Sequence, residues 1–141
     1  MEKLSLQFQQ HFDASPADVF HAWSDAEAML QWLVASDDMT TTIHHVDFRV
    51  GGTFKFDMKE ANGTNHVTDG EYKEIVPDEK IVIVWTCGET HDASLVTVEL
   101  KPNGSGTDFT LTDQDFESEE SMKSHNEGWK GILAHLQKFL A

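Results

Sequence analysis

The sequence holds one cysteine, three prolines, one tyrosine and only ten basic side chains in 141 residues. A lone thiol, Cys87, excludes an intrachain disulfide and any zinc site built on paired thiolates. Its place after a run of apolar residues reads as that of a short buried strand residue. Ten Lys and Arg against 25 Asp and Glu give a net charge of -15, which stays negative even with all eight histidines protonated. Nucleic acid and anionic membrane are therefore disfavoured as partners, since binding to either depends on Lys and Arg neutralising phosphate. The longest apolar run, Ile81-Val82-Ile83-Val84-Trp85, is five residues, against the ~20 needed to span a bilayer. No membrane insertion is expected. The start, Met1-Glu2-Lys3-Leu4, shows neither an apolar export segment nor a small-residue cleavage site, which points to a cytoplasmic protein.

What is present is enough for a core: 39% of residues are hydrophobic and 10% aromatic, too many large apolar side chains for a disordered acidic tail. With no repeat and no Pro/Gly-rich linker, residues 1–141 read as a single domain, of a size that buries about 68% of its unfolded surface. Leu4, Leu6, Phe8 and Gln10 alternate with polar neighbours, which predicts a first strand through Phe12. Ser15-Pro16-Ala17-Asp18 is a helix start, with a capping hydroxyl, proline in the first turn and an acid beside the positive end of the dipole. Ser24 with Glu27 predicts a second short helix through Met29, Leu30 and Trp32.

From about Thr40 to Asp115 the hydrophobic period becomes two. Turn signals at Gly51-Gly52, Asn62-Gly63, Pro77-Asp78, Gly88 to Asp92 and Asn103 to Gly106 divide this stretch into six strands. Phe54, Phe56 and Met58 share one face; so do Val96, Val98 and Leu100, and Phe109 with Leu111. After Ser118 the stripe Met122, Trp129, Ile132, Leu133, Leu136 and Leu140 predicts a long C-terminal helix, and the acidic run Asp113 to Glu120 reads as its solvated entrance.

The expected fold is α+β, a curved seven-stranded antiparallel sheet wrapped around the long C-terminal helix, with two short helices between strands 1 and 2. Seven strands make a sheet ~30 Å wide, whereas one helix covers ~10–12 Å. The sheet must therefore coil, with Gly51, Gly52 and Gly70 as places where it can bulge, and an internal cavity is expected at its wide end. The expected lining is Phe54, Phe56, Met58, Val96, Val98, Phe109, Leu111, Trp129 and Leu133, with His44, Tyr72 and His125 as sparse polar contacts. Strand parity puts His44 on the face of Val46 and Phe48. Gly128 and Gly131 each cost ~1 kcal/mol inside a helix, so each requires either a close approach to a neighbour or room for a ligand beside Trp129. His66, Asp69, His91 and Asp92 show no recognised ligand spacing, and no nucleophile elbow, phosphate loop or dinucleotide fingerprint is present, so no metal and no cofactor are expected.

Taken in order, Ser15-Pro16-Ala17-Asp18-Val19-Phe20 with Trp23, then Trp32, Asp47 to Phe54, Gly70 to Pro77, Trp85, Gly106-Thr107 and His125-Asn126-Glu127-Gly128-Trp129 resemble the activator of heat-shock ATPase homologue family. That family belongs to the START-like, birch-pollen-allergen-like or helix-grip superfamily, and the resemblance spans nearly the whole chain. Where the family often has a histidine and a glycine late in the last strand, this sequence has Asp113 and Asp115. Related folds include lipid carriers, polyketide cyclases, sequestering proteins and co-chaperone domains. In the eukaryotic co-chaperone the similar segment follows a chaperone-binding domain, and here the first strand follows Met1 at once, so that domain is expected to be missing.

The residues favour binding or sequestration of a hydrophobic small molecule, preferably not a strong acid given the protein's negative field. Two other readings stand beside it: a cyclase- or hydrolase-type enzyme using His44, His125 or Tyr72 in the same cavity, and a chaperone-interaction module presenting an apolar surface patch.

Overall fold

A computed structural model of the chain describes residues 4–87, 92–116 and 118–140. The expected turn over residues 88–91, with His91, lies outside the described residues, as do the side chains of Cys87, Asp92 and Asp115. The order is β1 (Leu4–Phe12), α1 (Pro16–Ser24), α2 (Ala26–Trp32), β2 (Thr40–Val46), β3 (Thr53–Lys59), β4 (Asn65–Val76), β5 (Lys80–Cys87), β6 (Asp92–Asn103), β7 (Gly106–Phe116) and α3 (Glu119–Leu140). All seven strands form one antiparallel sheet in the order β1-β7-β6-β5-β4-β3-β2. The α+β helix-grip arrangement expected from the sequence is the one found.

Local chemistry accounts for the element ends. The Ser15 hydroxyl accepts from the Asp18 N–H at 3.2 Å, with Pro16 in the first helical position. The cap of α2 is Asp25 rather than the expected Ser24. Asp25 has extended backbone and its carboxylate accepts from the Ala28 N–H at 3.2 Å, whereas Ser24 is still helical and donates back to the His21 carbonyl. The β6–β7 hairpin turns on Gly104-Ser105, with φ +65° at Gly104, the left-handed conformation that a two-residue hairpin needs.

Gly70 plays a different part from the expected bulge. It pairs with Phe54 on one side and Trp85 on the other, and a Cβ there would lie 1.9 Å from the Val84 carbonyl oxygen and 2.7 Å from the Phe54 ring. Its missing side chain lets Phe54 and Trp85 meet across β4, with ring centroids 5.7 Å apart. The irregularities of β2 and β4 fall instead between Ile43 and His45 and between Tyr72 and Glu74.

The long helix is not central. It lies closest to α2, β1 and β7, so the concave face of β3 to β5 is reached by side chains rather than by helix backbone. A chain of rings fills the space between: Trp32 on Trp23 (4.8 Å), Trp23 on Phe109 (6.0 Å) and Trp129 (6.3 Å), and Trp129 on Trp85 (4.9 Å). Val96, Val98, Phe109 and Leu111 are completely buried in this packing.

The two glycines of α3 have opposite causes. A Cβ at Gly131 would sit 1.8 Å from the Ala35 carbonyl oxygen, so this glycine admits the α2–β2 connection against the helix; a Cβ at Gly128 would meet nothing within 4 Å. Gly131→Ala should therefore destabilise the fold by about 2 kcal/mol or more through forced backbone displacement. Gly128→Ala should stabilise it by about 0.5–1 kcal/mol through helix propensity. Urea unfolding of the two variants measures both, and equal effects of one sign would refute the distinction.

Candidate functional site

Continuing the alternation of Phe109 and Leu111 along β7 brings Asp113 to the concave face, where it is completely buried. This corrects the reading of Asp113 as part of a solvated helix entrance: the strand continues to Phe116, and its parity carries the acid inward. Two donors from α3 converge on one oxygen. His125 Nδ1 and Trp129 Nε1 each lie 2.8 Å from Asp113 Oδ2, and they reach it together because positions four apart share a helix face. The carboxylate accepts both, which places the imidazole proton on Nδ1. The Phe116 and His125 rings pack in a T-shape, centroids 4.9 Å apart and planes at 89°. Asp113 Oδ1 is buried with no hydrogen-bond partner among the described residues.

His125 and Trp129, so held, form one wall of a cleft of about 230 Å³. The opposite wall is Met58 of β3, His66 and Thr68 of β4 and Trp85 of β5; Ser124, Gly128 and Ile132 complete the helix side, and Ala35 and Met39 of the α2–β2 connection close one end. The open space that a Cβ at Gly128 would enter is this cleft. The connection is tied to α3 by His135, whose Nε2 lies 2.7 Å from Asp37 Oδ1 while Nδ1 donates to the Gly131 carbonyl at 2.7 Å. That contact with His135, then the charge of Lys138, holds the Asp37 carboxyl below the usual carboxylate range. A depressed carboxyl contributes above its unfolded value and ceases to as pH falls through the folded one, so on the acid side this tie is lost as Asp37 takes up a proton.

The structure brings together three of the residues expected to line a site, Met58, His125 and Trp129. Phe54, Phe56 and Tyr72 border instead a void of about 20 Å³ beside Trp23 and Trp85. Burial pushes the Tyr72 hydroxyl far above its ordinary pKa, with the nearby Asp47 charge adding to the effect. Val96, Val98, Phe109 and Leu111 are completely buried, and Leu133 is buried in the same core. Where an internal cavity is expected among them, aromatic rings pack against one another.

His44 faces the other way from expectation. The irregularity at Ile43 turns both Ile43 and Val46 toward the interior, and His44 pairs on the convex side with Asp57, Nε2 to Oδ2 3.1 Å. His66 approaches Glu60 (3.0 Å), and among the described residues no three His, Cys, Asp or Glu side chains converge as a metal site would require. Residues the sequence reading missed are Asp113, hidden by its acidic neighbours though its parity with Leu111 marked it, and the cleft's Ala35, Met39, His66, Thr68, Trp85, Ser124 and Ile132, which tertiary packing alone assembles.

The chain matches the family model described as Activator of Hsp90 ATPase homolog 1-like protein over residues 13–141. A Rhizobium loti protein of known structure is 33% identical, with 99% of this chain and 98% of that chain covered and a TM-score of 0.81. A Chromobacterium violaceum protein is 24% identical over 96% of each chain, with a TM-score of 0.88. An AHSA1-like protein from Aeromonas hydrophila is 24% identical, covering 96% of this chain and 91% of that one, with a TM-score of 0.78. No curated protein matches the chain. No helix among the described residues is long and apolar enough to cross a membrane.

Removing the buried acceptor should strand two donors. Asp113→Leu is expected to cost about 3 kcal/mol, since the Trp129 and His125 N–H groups lose their partner without regaining water. Asp113→Asn keeps an acceptor oxygen and should cost about 1 kcal/mol. Urea midpoints together with the Trp129 indole N–H resonance would show this; an unmoved resonance in the Leu variant would refute the bridge.

Proposed function

The chain belongs to the Activator of Hsp90 ATPase homolog 1-like family, and from that membership and the cleft beside α3 we propose that it binds a neutral, hydrophobic small molecule there. The observation that carries the reading is Gly128: a helix interior gives up about 1 kcal/mol to a glycine whose absent side chain faces open space rather than a neighbour. Trp85, Trp129, Met58, Met39 and Ile132 supply the apolar contact, and Thr68, Ser124, His66 and His125 the few polar groups that would orient a guest. A net charge of -15 disfavours an anionic guest. The cleft exceeds the ~150 Å³ that admits benzene in an apolar cavity, and binding there suits carriage or sequestration.

A second reading is favoured by one observation. Asp113 orients the His125 imidazole at the cleft wall, the arrangement of a general base held by a carboxylate. A cyclase- or hydrolase-type reaction on a cleft-bound molecule would use that ring. Under this reading 4-nitrophenyl butyrate is hydrolysed above background and His125→Gln removes the excess; no excess hydrolysis leaves carriage. The chaperone-interaction reading has less to draw on: among the described residues the large exposed apolar side chains are Leu30, Val50 and Phe139.

The neutral fluorophore N-phenyl-1-naphthylamine tests the cleft. Gly128→Leu, whose side chain grows into empty space, should stay folded and weaken the probe about tenfold or more, since each buried methylene displaced from the guest is worth ~0.8 kcal/mol. Gly128→Ala should bind nearly as the parent does. Unchanged binding by a folded Gly128→Leu would refute the site.

A further inference from the structure

Trp23 is 2% exposed, and its Nε1–H has no partner among the described residues. Buried donors left unpaired are rare and costly, and each calls for an explanation. This one belongs to a residue that borders the 20 Å³ void. A single water would fit that volume, and the acceptor atom of a guest would satisfy the same donor. Around the void the Trp32 N–H is already committed to the Ala22 carbonyl at 3.0 Å, and the other polar side chains on its wall are Tyr72 and Trp85.

The void and the 230 Å³ cleft share one wall residue, Trp85. The other indoles nearby are pinned, Trp32 by Ala22 and Trp129 by Asp113. Trp85 is held by ring packing against Phe54, Phe56 and Trp129. Its partners on the adjacent strands are Gly70 and Ser94, both small, and the Phe54 ring lies over Gly70, so what confines the Trp85 ring is the packing of neighbouring rings.

Resting on the reading of the cleft as a binding site, we propose that the void behind Trp85 is the inner end of that site and that the Trp23 N–H anchors the guest. An indole N–H donates and cannot accept. The guest class is therefore an elongated aromatic molecule that ends in a hydrogen-bond acceptor, such as an aryl ketone: its rings lie in the cleft against Trp129, Trp85 turns aside, and the acceptor oxygen reaches Trp23.

A matched pair of probes, 2-acetylnaphthalene and 2-ethylnaphthalene, tests this on the full chain labelled with ¹⁵N. Once corrected for their partition from water, the acetyl compound should bind about tenfold more tightly, and Trp23→Phe should erase that preference while leaving the ethyl compound's affinity unchanged. In the parent protein the acetyl compound alone should shift the Trp23 indole N–H downfield, a readout that survives if the variant fails to fold. Equal preference in parent and variant, or a Trp23 resonance indifferent to the acetyl group, would overturn the inner anchor while leaving the cleft intact. If neither compound binds, the cleft reading falls with it.

Discussion

A carboxylate with no access to water sits where the end of β7 faces α3, and the placing of the helix depends on it. Asp113 is the common acceptor for an imidazole and an indole one helical turn apart. A buried carboxyl group is tolerable only when its polar atoms find partners, and no other rotation of α3 would bring both donors to Oδ2, while Oδ1 has none among the described residues. The bridge therefore sets which face of the helix meets the sheet. It turns Trp129 into the ring cluster and leaves Gly128, one position earlier, beside the cleft.

Size explains the rest. A seven-stranded sheet is too wide for one helix to cover, and the protein resolves this asymmetrically. The helix lies toward β1 and β7, and α1 and α2 close one end. Trp23, Trp32, Trp85 and Trp129 with their phenylalanine neighbours fill the middle, leaving the remaining space on the flank between α3 and β3 to β5. Each large ring removes on the order of 150–250 Å² from water, which makes filling the centre more favourable than leaving it hollow.

The architecture was legible because its signals are periodic: alternation at Phe54-Phe56-Met58 and Val96-Val98-Leu100, the Ser15-Pro16 helix start, and the stripe from Trp129 to Leu140. The site was legible only in part. Gly128 and His125 stood out because a helix pays for an interior glycine and because His125 shares a face with Trp129. The position of His44 was misread since one irregular residue in β2 reverses every parity count beyond it. Asp113 was masked by the acidic run around it. Composition speaks for a solvated stretch there, whereas the strand's period speaks for an inward side chain, and the period wins because β7 pairs on both sides through Asp113. The location of the empty space depends on how far off centre the helix lies, a quantity that no local pattern encodes.

Between α3 and the sheet, the accessible hollow lies on the Gly128 flank of the helix and not in the middle of the sheet. Diffraction from crystals held under xenon pressure addresses this directly, since xenon occupies apolar space without needing a chemically matched site. Xenon density between Trp129, Ile132 and Met58, with none among Val96, Val98, Phe109 and Leu111, is the predicted result. Density amid those four residues with an empty flank would contradict it.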